Sequence, residues 1–194
     1  MRVIAGTFRG RKLFSPKDQA VRPTSDRLRE SVFNMISHRI RERHVLDLYA
    51  GTGALGIEAL SRGASSCTFV DISRSALLLI ARNLRHLNVE RPTELIRWNI
   101  QISLDCLRNA SNPFDLVFMD PPYEQGLVSA TLRHLSTCPQ LDRSALIVIE
   151  HGIREPLPPE IQPFEIQDQR RQRKSLVSFL ACKRGLPSII TAKE

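Results

Sequence analysis

Residues 45–56 read Val-Leu-Asp-Leu-Tyr-Ala-Gly-Thr-Gly-Ala-Leu-Gly, and this stretch predicts how the chain folds. The apolar run at residues 45–49 is typical of a buried strand, and the apolar spacing across residues 54–62 indicates a helix. The glycines between them allow a sharp turn and let a ligand approach the backbone closely. The stretch therefore predicts a strand, a ligand-binding loop and a helix in succession.

The same alternation continues along the chain. We predict further strands at 67–71, 95–98, 114–119 and 145–150, helices at 73–87, 102–109 and 127–135, and a closing antiparallel pair at 161–167 and 176–182. Such alternation is typical of a mostly parallel sheet with helices on both faces. The predicted fold class is α/β, with a seven-stranded, mostly parallel sheet whose last strand is antiparallel.

The first 44 residues differ from the rest in charge. They hold eleven Lys and Arg against four Asp and Glu, whereas residues 45–194 hold seventeen against sixteen. A small hairpin around residues 7–10 and a helix opening at residues 24–26 are predicted here. A local basic excess suits nucleic acid, with a solvated basic surface as the alternative. We therefore divide the chain into a basic extension (1–44), a main domain (45–184) and a tail (185–194).

Composition argues against several classes of protein. No apolar run is long enough to cross a membrane, and residues 1–6 lack the apolar core of a signal peptide. The four cysteines form no C-x-x-C pair and the five histidines show no ligand spacing, so neither zinc nor a disulfide framework is indicated. We expect a cytoplasmic protein without a metal, and take a monomer as the default.

The glycine loop is compatible with two kinds of cofactor. Gly51, Gly53 and Gly56 form a G-x-G-x-x-G sequence, and Asp71 follows Gly51 by twenty residues at a strand end. This pattern is typical of dinucleotide-binding proteins, but S-adenosylmethionine needs the same ribose contact. Asp47 favours S-adenosylmethionine, because a carboxylate repels a pyrophosphate and attracts a sulfonium and an ammonium group. The structural alternative is that loop amides hold the Asp47 carboxylate.

A second motif, Asp120-Pro121-Pro122-Tyr123, follows the fourth predicted strand. The two prolines end the strand and supply no backbone donors, which leaves carbonyl acceptors beside the acid. Ligands bind at the carboxyl ends of strands in open α/β sheets. The motif could therefore hold an amino group of a flat ring while the tyrosine stacks on that ring. The alternative is an Asp-Pro turn with a buried tyrosine.

Together these motifs resemble the class I S-adenosylmethionine-dependent methyltransferases, which have a Rossmann-like fold. Residues 4–6, 9–11, 22–30 and 46–64 narrow the resemblance to the RsmD family, and the resemblance extends to about residue 184. That family methylates the exocyclic N2 of a guanine in 16S ribosomal RNA. The resemblance implies S-adenosylmethionine as methyl donor, S-adenosylhomocysteine as product, and the small ribosomal subunit or a late precursor as partner.

The resemblance also implies roles for individual residues. The catalytic residues would be Asp120, Pro121, Pro122 and Tyr123. The cofactor contacts would be Asp47, Tyr49, Ala50, Gly51, Thr52, Gly53, Gly56, Asp71, Ile72, Asn99, Ile100 and Asp120. The RNA contacts would be Arg9, Arg11, Lys12, Arg22, Arg27, Arg29, Arg171, Arg173 and Lys174. Asn99 stands where the family often has an acid, and Tyr49 where it commonly has phenylalanine.

Three other functions stay open at this point. The Asp-Pro-Pro-Tyr motif also serves methylation of adenine N6 and of protein glutamine. The glycine loop also suits a nicotinamide-dependent oxidoreductase. A non-catalytic RNA-binding assembly factor would keep the fold without the chemistry.

Overall fold

A seven-stranded sheet runs through the computed structural model, which describes residues 1–15, 26–158, 161–172 and 175–183. The strands are β1 His44–Leu48, β2 Ser66–Asp71, β3 Thr93–Arg97, β4 Phe114–Met119, β5 Leu141–Gly152, β6 Phe164–Gln172 and β7 Ser175–Cys182. Their order across the sheet is β3-β2-β1-β4-β5-β7-β6, and β7 is antiparallel to both of its neighbours. The predicted fold class is therefore confirmed.

Two helical layers cover the sheet because strand side chains alternate between its faces. The helices are α1 Asp26–Met35, α2 Ala54–Ser61, α3 Arg74–Leu87 and α4 Leu127–Ser136. In β1, Val45 packs into the core shared with α1, α2 and α3, whereas Leu46 and Leu48 pack into the core shared with α4. Burial on both faces explains why residues 45, 46 and 48 of β1 are all apolar, with Asp47 as the one acid among them.

The N-terminal segment lies on the first of these two layers. Its predicted hairpin is present: Arg2 and Lys12 form an antiparallel bridge, and the Val3 amide donates to the Arg11 carbonyl oxygen at 3.0 Å while the Gly10 amide donates to the Val3 carbonyl oxygen at 2.9 Å. The hairpin is attached to α2, where Glu58 accepts hydrogen bonds from the amides of Ile4 at 2.8 Å and Ala5 at 3.0 Å. Gly6 fits only as glycine, since its φ is +82° and an added Cβ would lie 1.9 Å from the Ser61 carbonyl oxygen. The division of the chain at residue 44 stays a prediction.

Two predicted elements differ in the structure. The helix expected at residues 102–109 is one 3₁₀ turn, Asp105–Leu107. Ser103 explains the difference, because its hydroxyl accepts the Asp105 amide and such local bonds compete with a helix. The strand expected at residues 161–167 is β6, which begins at Phe164 and continues to Gln172, so that Arg170 and Arg171 pair with residues of β7.

Some predicted features lie outside the described residues. They are the helix cap at residues 24–25, Arg22, Arg173, Lys174 and the tail. Within the described residues, no helix combines the length and the apolar character needed to cross a membrane.

Candidate active site

The carboxyl edge of the sheet brings the predicted motifs together. We call this region the carboxyl edge because it consists of residues at or just after the carboxyl ends of β1 to β5. Its residues are 49–53, 71–73, 97–100, 120–123 and 150. β1 lies between β2 and β4, and its Asp47 is level with Phe69 and Phe118. Asp71 lies two residues after Phe69, and Asp120 lies two residues after Phe118. The three carboxylates therefore lie around the carboxyl end of β1.

Asp47 is buried, with 2% of its surface exposed, and its Oδ2 accepts the Gly56 amide at 2.9 Å. Burial raises the pKa of Asp47 well above its ordinary value of 3.8, the Gly56 hydrogen bond opposes that shift, and the charges of Asp120 and Asp71 add to it. The structure thus resembles the alternative considered for Asp47, with the difference that the amide holding the acid belongs to the first turn of α2 rather than to the loop. When ionised, the Asp47 carboxylate would favour a cationic ligand at this end of β1.

The loop after β1 is shaped by residues in the left-handed region. Tyr49, Gly51 and Gly53 have φ values of 58°, 54° and 74°. An added Cβ on Gly51 would meet only the Tyr49 carbonyl oxygen, at 3.8 Å, so that side of the loop is open. On Gly53 it would lie 3.0 Å from Cγ1 of Ile80. Gly51 therefore leaves room for a ligand, whereas Gly53 lets α3 pack against the loop.

Tyr49 directs its side chain away from this loop. Its hydroxyl forms a 2.7 Å hydrogen bond with the hydroxyl of Thr131 on α4. Burial raises the pKa of Tyr49, and the Thr131 hydrogen bond lowers it in part. The Tyr49 side chain is therefore bound to α4, and Ile100 is 2% exposed, so neither side chain is placed for the predicted cofactor contact.

Asp71 connects the loop to the start of α3. Its Oδ2 accepts the Gly51 amide and its Oδ1 accepts the Ser73 amide, each at 2.8 Å. A carboxylate offers about four lone-pair directions, so two remain for hydroxyl donors. Asp71 is thus both a structural link and an acceptor suited to a ribose diol.

A shallow, open cavity of about 340 Å³ adjoins Ile72, the residue that follows Asp71. Two of its apolar side chains are unusually exposed, Ile72 at 58% and Ile102 at 71%. Exposed apolar side chains at a strand end suit a flat ring between them. The lining residues are Ile72, Arg97, Trp98, Asn99 and Ile102. The sequence analysis named Ile72 and Asn99 but missed Arg97, Trp98 and Ile102, because no local pattern marks these residues as lining a cavity.

The Asp-Pro-Pro-Tyr segment is held from β5 and the turn that follows it. The Tyr123 hydroxyl donates to Oε1 of Glu150 at 2.7 Å, and Glu155 accepts the amides of Glu124 at 2.8 Å and Gly126 at 3.0 Å. Burial, followed by the charge of Glu150, raises the pKa of Tyr123, so its hydroxyl stays protonated. Tyr123 is 40% exposed, so its ring is available to a ligand. Sequence reasoning missed Glu150 and Glu155.

Most of the described basic residues predicted to contact RNA are exposed. Arg9, Arg11, Lys12 and Arg27 are exposed on the N-terminal segment and α1, and Arg171 is exposed on β6. Arg11 also donates a hydrogen bond to the carbonyl oxygen of His86 on α3.

The RNA contact predicted for Arg29 is wrong. Its side chain is fully buried, with its Nε 3.7 Å from Oε2 of Glu58 and its Nη2 3.0 Å from Oδ1 of Asp26. It also donates to the Arg2 carbonyl oxygen. Arg29 therefore joins α1 to α2 and the N-terminal segment and presents no charge to a ligand.

Donor sets for a metal are absent from the described ranges, which contain no group of three or more His, Cys, Asp or Glu side chains able to hold an ion. The groups at the carboxyl edge instead suit an organic ligand with hydroxyl donors, a flat ring and positive charge. These are features of S-adenosylmethionine, and the open side of Gly51, the spare acceptors of Asp71 and the cavity beside Ile72 fit them.

Comparisons with known proteins cover nearly the whole chain. The family model described as Conserved hypothetical protein 95 matches residues 1–181. Ribosomal RNA small subunit methyltransferase D of Escherichia coli K12 is 36% identical over 158 residues, covering 81% of this chain and 78% of that protein. Its namesake in Haemophilus influenzae is 38% identical over 160 residues, 81% of each chain. The solved structure of Escherichia coli YhhF has a TM-score of 0.83 at 31% identity, covering 95% of this chain and 99% of that chain. The family match thus includes every element of the carboxyl edge.

Proposed function

The chain belongs to the RsmD family of ribosomal RNA methyltransferases, and on that premise we propose that it methylates the exocyclic N2 of a guanine in 16S ribosomal RNA. The donor is S-adenosylmethionine and the second product is S-adenosylhomocysteine. The substrate is the small ribosomal subunit or a late precursor, and the reaction takes place in the cytoplasm. One observation carries the proposal: the glycine loop, Asp71 and the Asp-Pro-Pro-Tyr segment lie side by side at one edge of the sheet.

The cofactor would lie across the ends of β1, β2 and β3. Asp71 would accept hydroxyl groups of the ribose, the open side of Gly51 would admit the amino acid portion, and Ile72 and Asn99 would border the adenine. When bound, this cofactor supplies an electrophilic methyl group. The buried Asp47 carboxylate, when ionised, would favour a cationic donor over a dinucleotide, because it would repel a pyrophosphate. Family membership likewise favours methyl transfer over the nicotinamide-dependent alternative.

The Asp-Pro-Pro-Tyr segment would bind the guanine that accepts the methyl group. The N2 lone pair of guanine is delocalised into the ring, so alignment with the methyl group and acceptors for both N–H bonds matter more than a strong base. The Asp120 carboxylate and the Pro121 carbonyl would provide these acceptors, and Tyr123 would stack on the base. The base must leave its stack to reach them. Exposed arginines such as Arg9 and Arg171 would hold phosphates without selecting sequence.

Replacing Asp120 tests the proposal. We expect Asp120→Ala to abolish methyl transfer to small subunits lacking the modification, while affinity for S-adenosylhomocysteine stays nearly intact. Asp120→Asn should keep partial activity, since an amide oxygen still accepts a hydrogen bond. Asp105→Ala is the matched control, because this exposed acid forms its one ion pair within the described residues with the exposed Arg108.

The measurements are transfer of a labelled methyl group, mass mapping of the modified nucleotide and calorimetric titration with S-adenosylhomocysteine. A near-normal rate for Asp120→Ala would contradict the catalytic assignment. Mapping of the methyl group to adenine N6 would contradict the proposed base. No transfer by the unmodified protein would favour an assembly factor.

A further inference from the structure

We propose that Glu150 determines the choice of guanine as the methylated base, by accepting a hydrogen bond from its ring N1–H. This inference rests on the proposed function and specifies how the same site distinguishes its substrate. Glu150 occurs in no motif of the sequence, and its side chain becomes significant only through its position in the sheet.

Glu150 lies beside the catalytic segment on the neighbouring strand. β4 and β5 are parallel, with Met119 level with Ile149, so Asp120 and Glu150 follow that pair at the ends of adjacent strands. Residues in register on parallel strands point to the same face of the sheet. Tyr123 experiences the charges of both Glu150 and Asp120. The two acids and the aromatic ring therefore border one space.

The two oxygens of Glu150 have different surroundings. Oε1 accepts the Tyr123 hydroxyl at 2.7 Å and the Ser175 hydroxyl at 3.0 Å. These two bonds fix the carboxylate relative to the tyrosine ring. Oε2 accepts no hydrogen bond from any residue in the described part of the chain. Because Oε1 takes both of these bonds and Glu150 is only partly buried, Oε2 is the oriented acceptor that we assign to the substrate.

An acceptor at this place distinguishes the two purines. Guanine carries donors on adjacent atoms, the ring N1–H and the exocyclic N2 amino group. Adenine carries an amino group beside a ring N1 that is itself an acceptor. With the amino group held at Asp120 and Pro121, Oε2 of Glu150 would bind the N1–H of guanine and would face the N1 lone pair of adenine. A site built around one hydrogen bond strongly rejects an analogue that lacks it.

The test uses 2-aminopurine, which keeps the 2-amino group of guanine but has an acceptor at N1. Small subunits are reconstituted with RNA carrying either guanine or 2-aminopurine at the target nucleotide, and kcat/KM is measured for both with the full chain. For the unmodified protein we expect guanine to be preferred roughly 5- to 150-fold, the range of one good base contact. For Glu150→Gln we expect this preference to fall towards one, because an amide can also donate to N1.

Tyr123→Phe is the matched control, since it removes the other partner of the same hydrogen bond. Its rate should fall on both substrates while the preference for guanine is retained. Equal rates of the unmodified protein on the two substrates would overturn the inference without any variant. So would an unchanged preference in Glu150→Gln, which would leave Glu150 as an anchor for Tyr123 alone. Failure of the proposed function would appear separately, as no N2-methylguanine formed by the unmodified protein.

Discussion

Arg29 offers the sharpest test of how this fold is held together. The sequence predicted an RNA contact, whereas the structure buries the guanidinium between Glu58 and Asp26. Glu58 is 1% exposed and also holds the amides of Ile4 and Ala5. Replacing Arg29 by alanine therefore leaves a buried carboxylate with fewer cationic partners and opens a cavity where α1, α2 and the N-terminal segment meet.

The magnitude follows from what Glu58 retains. Removing one partner of a buried ion pair costs about 3–5 kcal/mol. Arg62 still binds Glu58 at 2.8 Å, so we expect the lower end, about 3 kcal/mol of unfolding free energy. In a chain of this size each kcal/mol lowers the Tm by about 2–4 °C, so Arg29→Ala should melt roughly 6–12 °C below the unmodified protein. Arg29→Met should lose less, because it fills the space and removes two nitrogens, Nε and Nη1, that have no hydrogen-bond partner among the described residues.

Calorimetry and RNA titration separate this structural role from an RNA contact. Arg27→Ala is the matched control, because Arg27 is exposed two positions earlier on the same helix and the change in charge is the same. We expect Arg27→Ala to leave the Tm nearly unchanged. The Arg29 variants, measured below their Tm, should keep the salt dependence of RNA binding. An Arg29→Ala protein that melted normally but bound RNA with a shallower salt dependence would refute this reasoning.

Three further predictions concern the loop, the core and the basic turn. Because burial raises the pKa of Asp47 above 3.8, the unmodified protein should lose stability as the pH rises from 3.8 through the raised pKa. Asp47→Asn should flatten this part of a curve of Tm against pH. A variant whose curve matched that of the unmodified protein would contradict the raised pKa of Asp47. Gly56→Ala would place a Cβ 2.4 Å from Cε1 of Phe69 and should cost about 1–3 kcal/mol in urea unfolding, whereas a neutral result would mean that α2 can move away from β2. The double variant Arg9→Gln, Lys12→Gln should make the plot of log affinity against log salt concentration shallower by about 1.4, if each residue contacts one phosphate of single-stranded RNA. A slope equal to that of the unmodified protein would show that neither residue contacts a phosphate.

The sheet and the glycine loop could be predicted because their signals are local. A strand buried on both faces reads as an apolar run, and a backbone in the left-handed region selects glycine, as at Gly51 and Gly53. Two predictions were wrong in part: a hydrogen bond from the Asp105 amide to Ser103 replaces the helix expected at residues 102–109, and β6 extends to Gln172, beyond the end predicted at residue 167. The domain division and the individual site roles stay predictions.

The sequence by itself determined the α/β class, the loop after β1 and the position of the Asp-Pro-Pro-Tyr segment at a strand end, because periodicity, glycine and proline act over a few neighbouring residues. Only the tertiary structure decided that Arg29 lies in the core, since its burial depends on Glu58, which is distant in the chain and lies on another helix. The tertiary structure likewise placed Glu150 beside Asp120, although the two residues are thirty positions apart in the sequence. The physical reason is that the order and register of strands, rather than any local pattern, decide which strand ends become neighbours.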